Sequence, residues 1–368
     1  MTLEQTIGAG LMVLFLADIF LTVLYARADT GLLAPYWTRA VWGLVRAASR
    51  LFGKRRGAVL SVAGPLIVVL LIGFWALGLT IGAALIIRPE LGTAIRPSSG
   101  GTPNDFITAL LVAGNSLSIV GGGDYSPHTT ATRILFLINS LIGASVLSLV
   151  LSYLVQVYSA LHERNALALK IDLMTNGTGD AAEMLARLLP EGESGNAVSE
   201  LSNLVERLAA TEEAHHFYPL LFYFRFEEPR YAVSRFCLVL LDLTTLIETA
   251  IDRQRYQALI NSLTVISLRR STLLLLETLN RNFTTTRDRV VGPAEPLREK
   301  QSYLAAIGRL ARAGIAVRAD GLGHYAAARR VWEPLARRIA PTLGYTMNEI
   351  DRRSPDLIPK KSGSSLPS

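Results

Sequence analysis

Three apolar runs, residues 7–25, 58–87 and 134–158, are each long enough to cross about 30 Å of hydrocarbon as a helix. The second would measure about 45 Å if straight, so it tilts or projects beyond the bilayer. Between the first two, Trp37, Val41, Leu44, Val45, Ala48, Leu51 and Phe52 recur at helical spacing. Arg39, Arg46 and Arg50 gather on the opposite face, which predicts an amphipathic helix lying flat on a membrane surface. A connector packed on a soluble domain is the alternative. From about residue 161, apolar and charged positions alternate at helical spacing, broken at 176–179, 190–195, Pro219, Pro229, 292–293 and Pro341, with no convincing strand. Residues 236–251 are very apolar but short for a span and carry Asp242 and Glu248, so they predict a buried core helix. The pattern is that of an all-α membrane protein followed by an all-α domain.

Composition agrees with a membrane half and a soluble half. Of 368 residues, 50% are hydrophobic and 18% charged, and the charges crowd the last 200 positions. Residues 27–57 hold six Arg and one Lys against one Asp, and so carry +6 of the chain's net +7. Such a basic loop between two spans is the positive-inside signal. It predicts a cytoplasmic loop, an N-terminus outside, residues 88–132 outside and the remainder in the cytoplasm, in an inner cell membrane. It also makes anionic lipids the expected partner of the amphipathic helix and leaves no independent case for nucleic acid. Ala26-Arg27-Ala28 mimics a signal-peptide cleavage site, but residues 1–5 carry no Lys or Arg and the apolar run is long, which favours an anchor. The lone Cys237 excludes an internal disulfide and a CxxC motif.

The loop between the second and third spans is where chemistry concentrates. Residues 104–118 are mostly apolar and too short to cross, and Ile119-Val120-Gly121-Gly122-Gly123-Asp124 follows. Backbone at membrane depth must be buried in protein or line a water-filled path, so this reads as a re-entrant half-helix with a glycine turn. Asn104 or Asp105 is placed to cap its outer end, which aims the negative C-terminal dipole inward, where it favours a cation. Successive carbonyls turned to one axis replace an ion's hydration shell.

The run Ser118-Ile119-Val120-Gly121-Gly122-Gly123-Asp124, with its flanking helices, resembles the selectivity filter of the two-transmembrane pore-loop potassium channels, which reads T-T-V-G-Y-G-D. The resemblance covers about residues 58–163. Val120, Gly121, Gly123 and Asp124 agree, and Ser118 is a near match. Ile119 replaces the family's Thr and so lacks the hydroxyl of the innermost ion site. Gly122 replaces its Tyr or Phe and so lacks the ring that packs the filter on its pore helix. The resemblance implies a pore helix and filter loop between an outer and an inner helix, with K+ passing, or K+ and Na+ with weak selectivity. The stretch from the filter through residues 215–224 is also similar to bacterial pore-loop channel proteins.

The third span adds a pattern of its own. Ser145, Ser148, Ser152, Gln156 and Ser159 follow spacings of 3, 4, 4 and 3, one polar stripe along an apolar helix, which is a pore-lining face or a helix-packing face. Gly143 is placed either as a gating hinge or as a packing contact. One loop per chain makes a four-fold ring the work of a homotetramer. Gly78 and Gly82 form a GxxxG that seats a neighbouring helix. Asp18 lies inside the first span, where an acid costs at least about 2.5 kcal/mol, and a structural hydrogen bond is its expected use.

In the C-terminal half no GxGxxG follows a strand and no phosphate-binding GxxxxGK[ST] occurs, so a nucleotide-binding regulatory domain is not expected. Glu212-Glu213-Ala214-His215-His216 lacks metal-site spacing and reads as helix surface. The aromatic run 217–224 is expected in a core or against another subunit. The expected organisation is an anchor over 1–30, an interfacial helix over 31–57, a pore domain over 58–163, a helical cytoplasmic domain over 164–353 and a disordered tail over 354–368. The expected function is a tetrameric cation channel with no cofactor, no metal beyond permeant cations, no small-molecule ligand and no enzyme activity. A non-conducting pore-like sensor or scaffold is the alternative.

Overall fold

The computed structural model describes residues 2–25, 31–118, 123–284 and 296–351. The filter residues Ile119, Val120, Gly121 and Gly122 and the tail expected over 354–368 therefore lie outside the described residues. Helices α1 (Leu3–Ile19), α2 (Ala34–Ser49), α3 (Arg56–Ser61) and α4 (Ala63–Ile87) lead to strand β1 (Ile95–Pro97), helix α5 (Phe106–Leu117), strand β2 (Tyr125–Pro127) and the long helix α6 (Thr130–Met174). Then come α7 (Ala181–Leu188), α8 (Ala197–Phe217), α9 (Val233–Thr249), α10 (Gln257–Ile260), α11 (Leu263–Phe283), α12 (Pro296–Arg312), α13 (Leu322–Thr342) and α14 (Met347–Ile350). They divide into two compact units, residues 1–48, 62–159 and 216–221 in one, and 49–61, 160–215 and 222–368 in the other. The protein is an all-α membrane protein with a helical C-terminal part.

In the first unit α1 lies along α4, and the cause is small residues. A Cβ at Gly82 would stand 2.7 Å from Met12 and 3.0 Å from the Gly8 carbonyl oxygen, and one at Gly78 would land in the Phe15 ring. The GxxxG thus seats a helix of its own chain, as backbone approach at small residues permits. Outside the apolar stretch, Arg88 Nη1 donates to Glu4 at 2.7 Å, and Gln5 Nε2 to Glu90 at 3.0 Å.

Asp18 is fully buried in this seam. Its Oδ2 accepts from Trp75 Nε1 at 2.7 Å, and its Oδ1 from the backbone N–H of Leu33 at 2.7 Å and of Ala34 at 3.2 Å. Ala34 is the first residue of α2 and Leu33 immediately precedes it, so an acid from α1 supplies an acceptor at the N-terminus of α2. Trp37 then stacks on Phe74 with ring centroids 4.5 Å apart, and Val41 and Trp42 are buried. The apolar face expected over α2 is thus divided: part packs on the protein, whereas Leu44, Leu51 and Phe52 remain exposed.

The second unit is built around α9, in which every residue except Glu248 is buried. Helices α7, α11 and α13 pack on it, so its apolar run is spent on protein, not lipid. Asp242 is taken up by Arg329 and by Tyr325 Oη, which donates at 2.9 Å. Glu248 pairs with Arg269. Most of the aromatic run lies in cores, with residues 220–224 buried and Phe217 exposed: Phe222 stacks on Phe283 at 4.0 Å, and Tyr218 meets Tyr153 edge-on at 5.8 Å. By length and composition the described residues hold four helices able to cross a membrane, one more than the three spans read from the sequence. The fourth, Gln257–Phe283, has a mean hydropathy of 1.3 against 2.4 or more for the others, and it packs on α9 and α13.

His215 corrects an expectation. It is buried, not on the helix surface, and neither ring nitrogen has a hydrogen-bond partner among the described residues. Burial, with the Arg164 guanidinium adding to it, pulls its pKa down to about 3. Among the described residues no group of His, Cys, Asp and Glu is placed to hold a metal.

Candidate functional site

Helix α5 begins where a cap allows it. The Asp105 carboxylate accepts from Thr108 N at 2.8 Å and from Thr108 Oγ1 at 2.9 Å, and these bonds hold its pKa below the usual carboxylate value. Asp105, one of the two residues proposed for this role, is the cap. At the other end Ser118 turns extended, with φ −72° and ψ 140°, while its N–H still bonds the Gly114 carbonyl at 2.9 Å. The helix therefore ends at Leu117, shortly before the glycine run in the sequence.

Backbone pairing fixes the return. Gly123 has φ +125°, a conformation that disfavours side chains, and a Cβ there would stand 2.6 Å from Asn115 Nδ2. Asp124 is exposed, and its carbonyl accepts from Ser98 N at 2.9 Å. β2 then pairs antiparallel with β1 in the register Ile95 with Pro127, Arg96 with Ser126 and Pro97 with Tyr125. The two ends of the turn are thus held, one by a helix and one by a strand. A cavity of about 240 Å³ lies behind them, with Asn115, Ser116, Ser118, Gly123, Ser126 and Ser140 in its wall.

The polar stripe of α6 is exposed in the single chain at Ser145, Ser148, Ser152, Gln156 and Ser159, while Val150, Tyr153 and Val157 on the other side are buried. Only 11% of the most apolar window of α6 is buried, against 44% for the span containing α4, which makes it the least buried of the four long apolar helices among the described residues. Gly143 is a close contact: a Cβ there would fall on the Leu117 carbonyl at the end of α5. One turn earlier the buried Asn139 donates from Nδ2 to Ser116 Oγ at 2.9 Å. The sequence reading missed Asn139 and Ser116. The available signal was the one used for Asp18, a polar side chain inside an apolar span.

No curated protein and no solved structure matches the chain. Residues 66–160 match a protein-family model described as Ion channel, and they run from α4 through α5 into α6. That stretch contains both ends of the glycine-rich run and the polar stripe just described, so over residues 66–160 the chain is similar to an ion-channel domain.

Proposed function

We infer that four copies of this chain form a cation channel. Four turns over Ser118, Ile119, Val120, Gly121, Gly122 and Gly123 bring backbone carbonyls to one axis, and Asp124 sets a negative potential at the outer mouth. Ions enter because coordination offsets dehydration, and leave because neighbouring sites repel. The stripe Ser145, Ser148, Ser152 and Gln156 lines the inner pathway. α6 opens and closes it, with the C-terminal helical part biasing that movement from the cytoplasm. K+, or K+ and Na+ together, is the permeant species.

The observation that supports this reading is the short capped helix ending before the glycine-rich run, with the chain on the far side held at Gly123 and in β2. Non-helical backbone at membrane depth is buried in protein or lines a water-filled path. The test is cation flux into liposomes containing the full chain. Gly123→Ala, which meets both an adverse φ and the Asn115 amide, is expected to abolish flux while the tetramer still forms. Persistence of wild-type flux in this variant defeats the reading.

A second reading is favoured by one specific feature, the loss of the family's hydroxyl and aromatic ring at Ile119 and Gly122. It is a pore-like sensor or scaffold that does not conduct. Absence of flux from the wild-type chain under both K+ and Na+ gradients supports it.

A further inference from the structure

Ser145, Ser148, Ser152 and Gln156 of α6 are exposed in the single chain, within a span where hydrocarbon offers their hydroxyl and amide groups no partner. Polar side chains in a span face a bundle interior or water. At about 100° per residue, two apolar flanks border this stripe, each roughly 90–100° from it around the helix. Ile142, Val146 and Leu149 form one flank, and Leu147, Leu151 and Val155 form the other. The side away from the stripe carries Val150, Tyr153 and Val157, which are buried in their own chain.

The two flanks differ in what stands beside them. Next to the first, α1 and the π-helical turn Phe20–Leu24 that continues it leave an apolar groove of about 680 Å³ against α6. Leu16, Phe20 and Leu24 wall it on the α1 side, and Ser145 lies in its α6 wall, so the groove opens directly beside the stripe. On the second flank Leu147, Leu151 and Val155 are all exposed, as a ridge. Groove and ridge also stand at one level. Phe15 and Ile19 share a core cluster with Val150, on which Val146 and Leu154 pack, so the C-terminal half of α1 runs beside the stretch of α6 that carries the ridge.

A ring that closes around the stripe turns both flanks of every α6 toward neighbours, and rotation brings the groove of one copy to the ridge of the next. Head-to-tail contact between two different faces is what closes a cyclic assembly. Depth is unchanged by rotation about the membrane normal, so the ridge arrives at the level of Phe20 and Leu24. Exposed apolar surface does not by itself identify a partner in lipid, since acyl chains are as apolar as leucine. The placing of the polar stripe between groove and ridge does.

We propose that the groove seats a second copy of this chain: Leu147, Leu151 and Val155 of one subunit lodge between α1 and α6 of its neighbour, beside Phe20 and Leu24. Helix α1, which lies outside the ion-channel match over residues 66–160, is thereby the helix that closes the ring. The inference rests on the tetrameric reading above.

The full chain is oxidised in membranes with copper phenanthroline and run on non-reducing gels. Phe20→Cys combined with Leu151→Cys is expected to give a ladder of two, three and four linked copies, and each single variant none. Leu24→Cys with Val155→Cys, one turn further along both helices, gives the same ladder and guards against a misplaced first pair. The native Cys237 is buried and stays out of the reaction. Ser152→Cys alone reports on the ring itself, because stripe residues converge at its axis, and it is expected to give linked dimers. Dimers from Ser152→Cys without a ladder from either double variant overturn the proposal, put lipid in the groove and leave the tetrameric channel standing. Absence of links in every variant refutes both. A ladder without links at Ser152→Cys upholds the seat on α1 and takes the stripe away from the axis.

Discussion

Asp18 in the first unit and Asp242 in the second are both carboxylic side chains buried within apolar helices, and the protein accommodates them by different means. Asp18 receives only neutral donors, one indole N–H and two backbone N–H groups at the start of α2. Asp242 receives Arg329, which also binds Glu333 at 2.9 Å, and Glu333 binds Arg337 at 2.6 Å. Within lipid a compensating guanidinium would itself have to be desolvated, and a helix start offers oriented donors without that penalty. In the second unit Arg329 is itself fully buried, so its charge is met inside the protein by Asp242 and Glu333, and this network ties α9 to α13.

Breaking the ionic case has the largest expected effect. Arg329→Met leaves Asp242 buried without its cation and is expected to destabilise the second unit by about 3–5 kcal/mol in denaturant unfolding. Adding Asp242→Leu recovers part of that loss; equal stability of the single variant and the wild type removes the contrast.

The neutral case is tested more gently. Asp18→Asn keeps one acceptor for the backbone of α2 but presents an NH2 group to the Trp75 indole, for an expected cost of about 1–3 kcal/mol in thermal unfolding. Trp75→Phe in that background recovers part of the loss by removing the opposed donor. If Asp18→Asn is silent, the indole contact contributes nothing.

The smallest effect sharpens the comparison with a third buried group, His215. Its proton affinity is depressed in the fold, with a pKa of about 3 against an ordinary 6.5, so the unfolded chain takes up a proton first as pH falls. Stability is therefore full above pH 6.5 and declines as pH drops toward 3. Between pH 7.5 and 5.5 the unfolding equilibrium is expected to shift by about tenfold, or ~1.4 kcal/mol. His215→Leu flattens that portion of the pH profile, and an unchanged slope shows that another group is responsible.

Much of this architecture is legible in one dimension because lipid imposes simple rules. The apolar runs, the Asp105 cap and the short half-helix before the glycines are local features, and α9 was recognisable as core from its length and its two acids. What stayed hidden depends on partners distant along the chain. Asp18 meets Trp75 across 57 positions and Asn139 meets Ser116 across 23, so neither pairing has a periodic signature. The strands β1 and β2 are three residues each and both end in proline, too short for alternation to register. The burial of His215 was missed because an adjacent His and two acids made its segment look solvated.

The backbone approach of Gly8 to Gly82 also determines what the surrounding bilayer can reach. Along that seam α1 clothes α4, leaving Val13 and Ile7 of α1 bare where acyl chains would otherwise meet the outer helix. Thickness, tension or an amphiphile dissolved in the membrane must therefore act on that side through the sleeve, and a bulky side chain at Gly82 would strip it away.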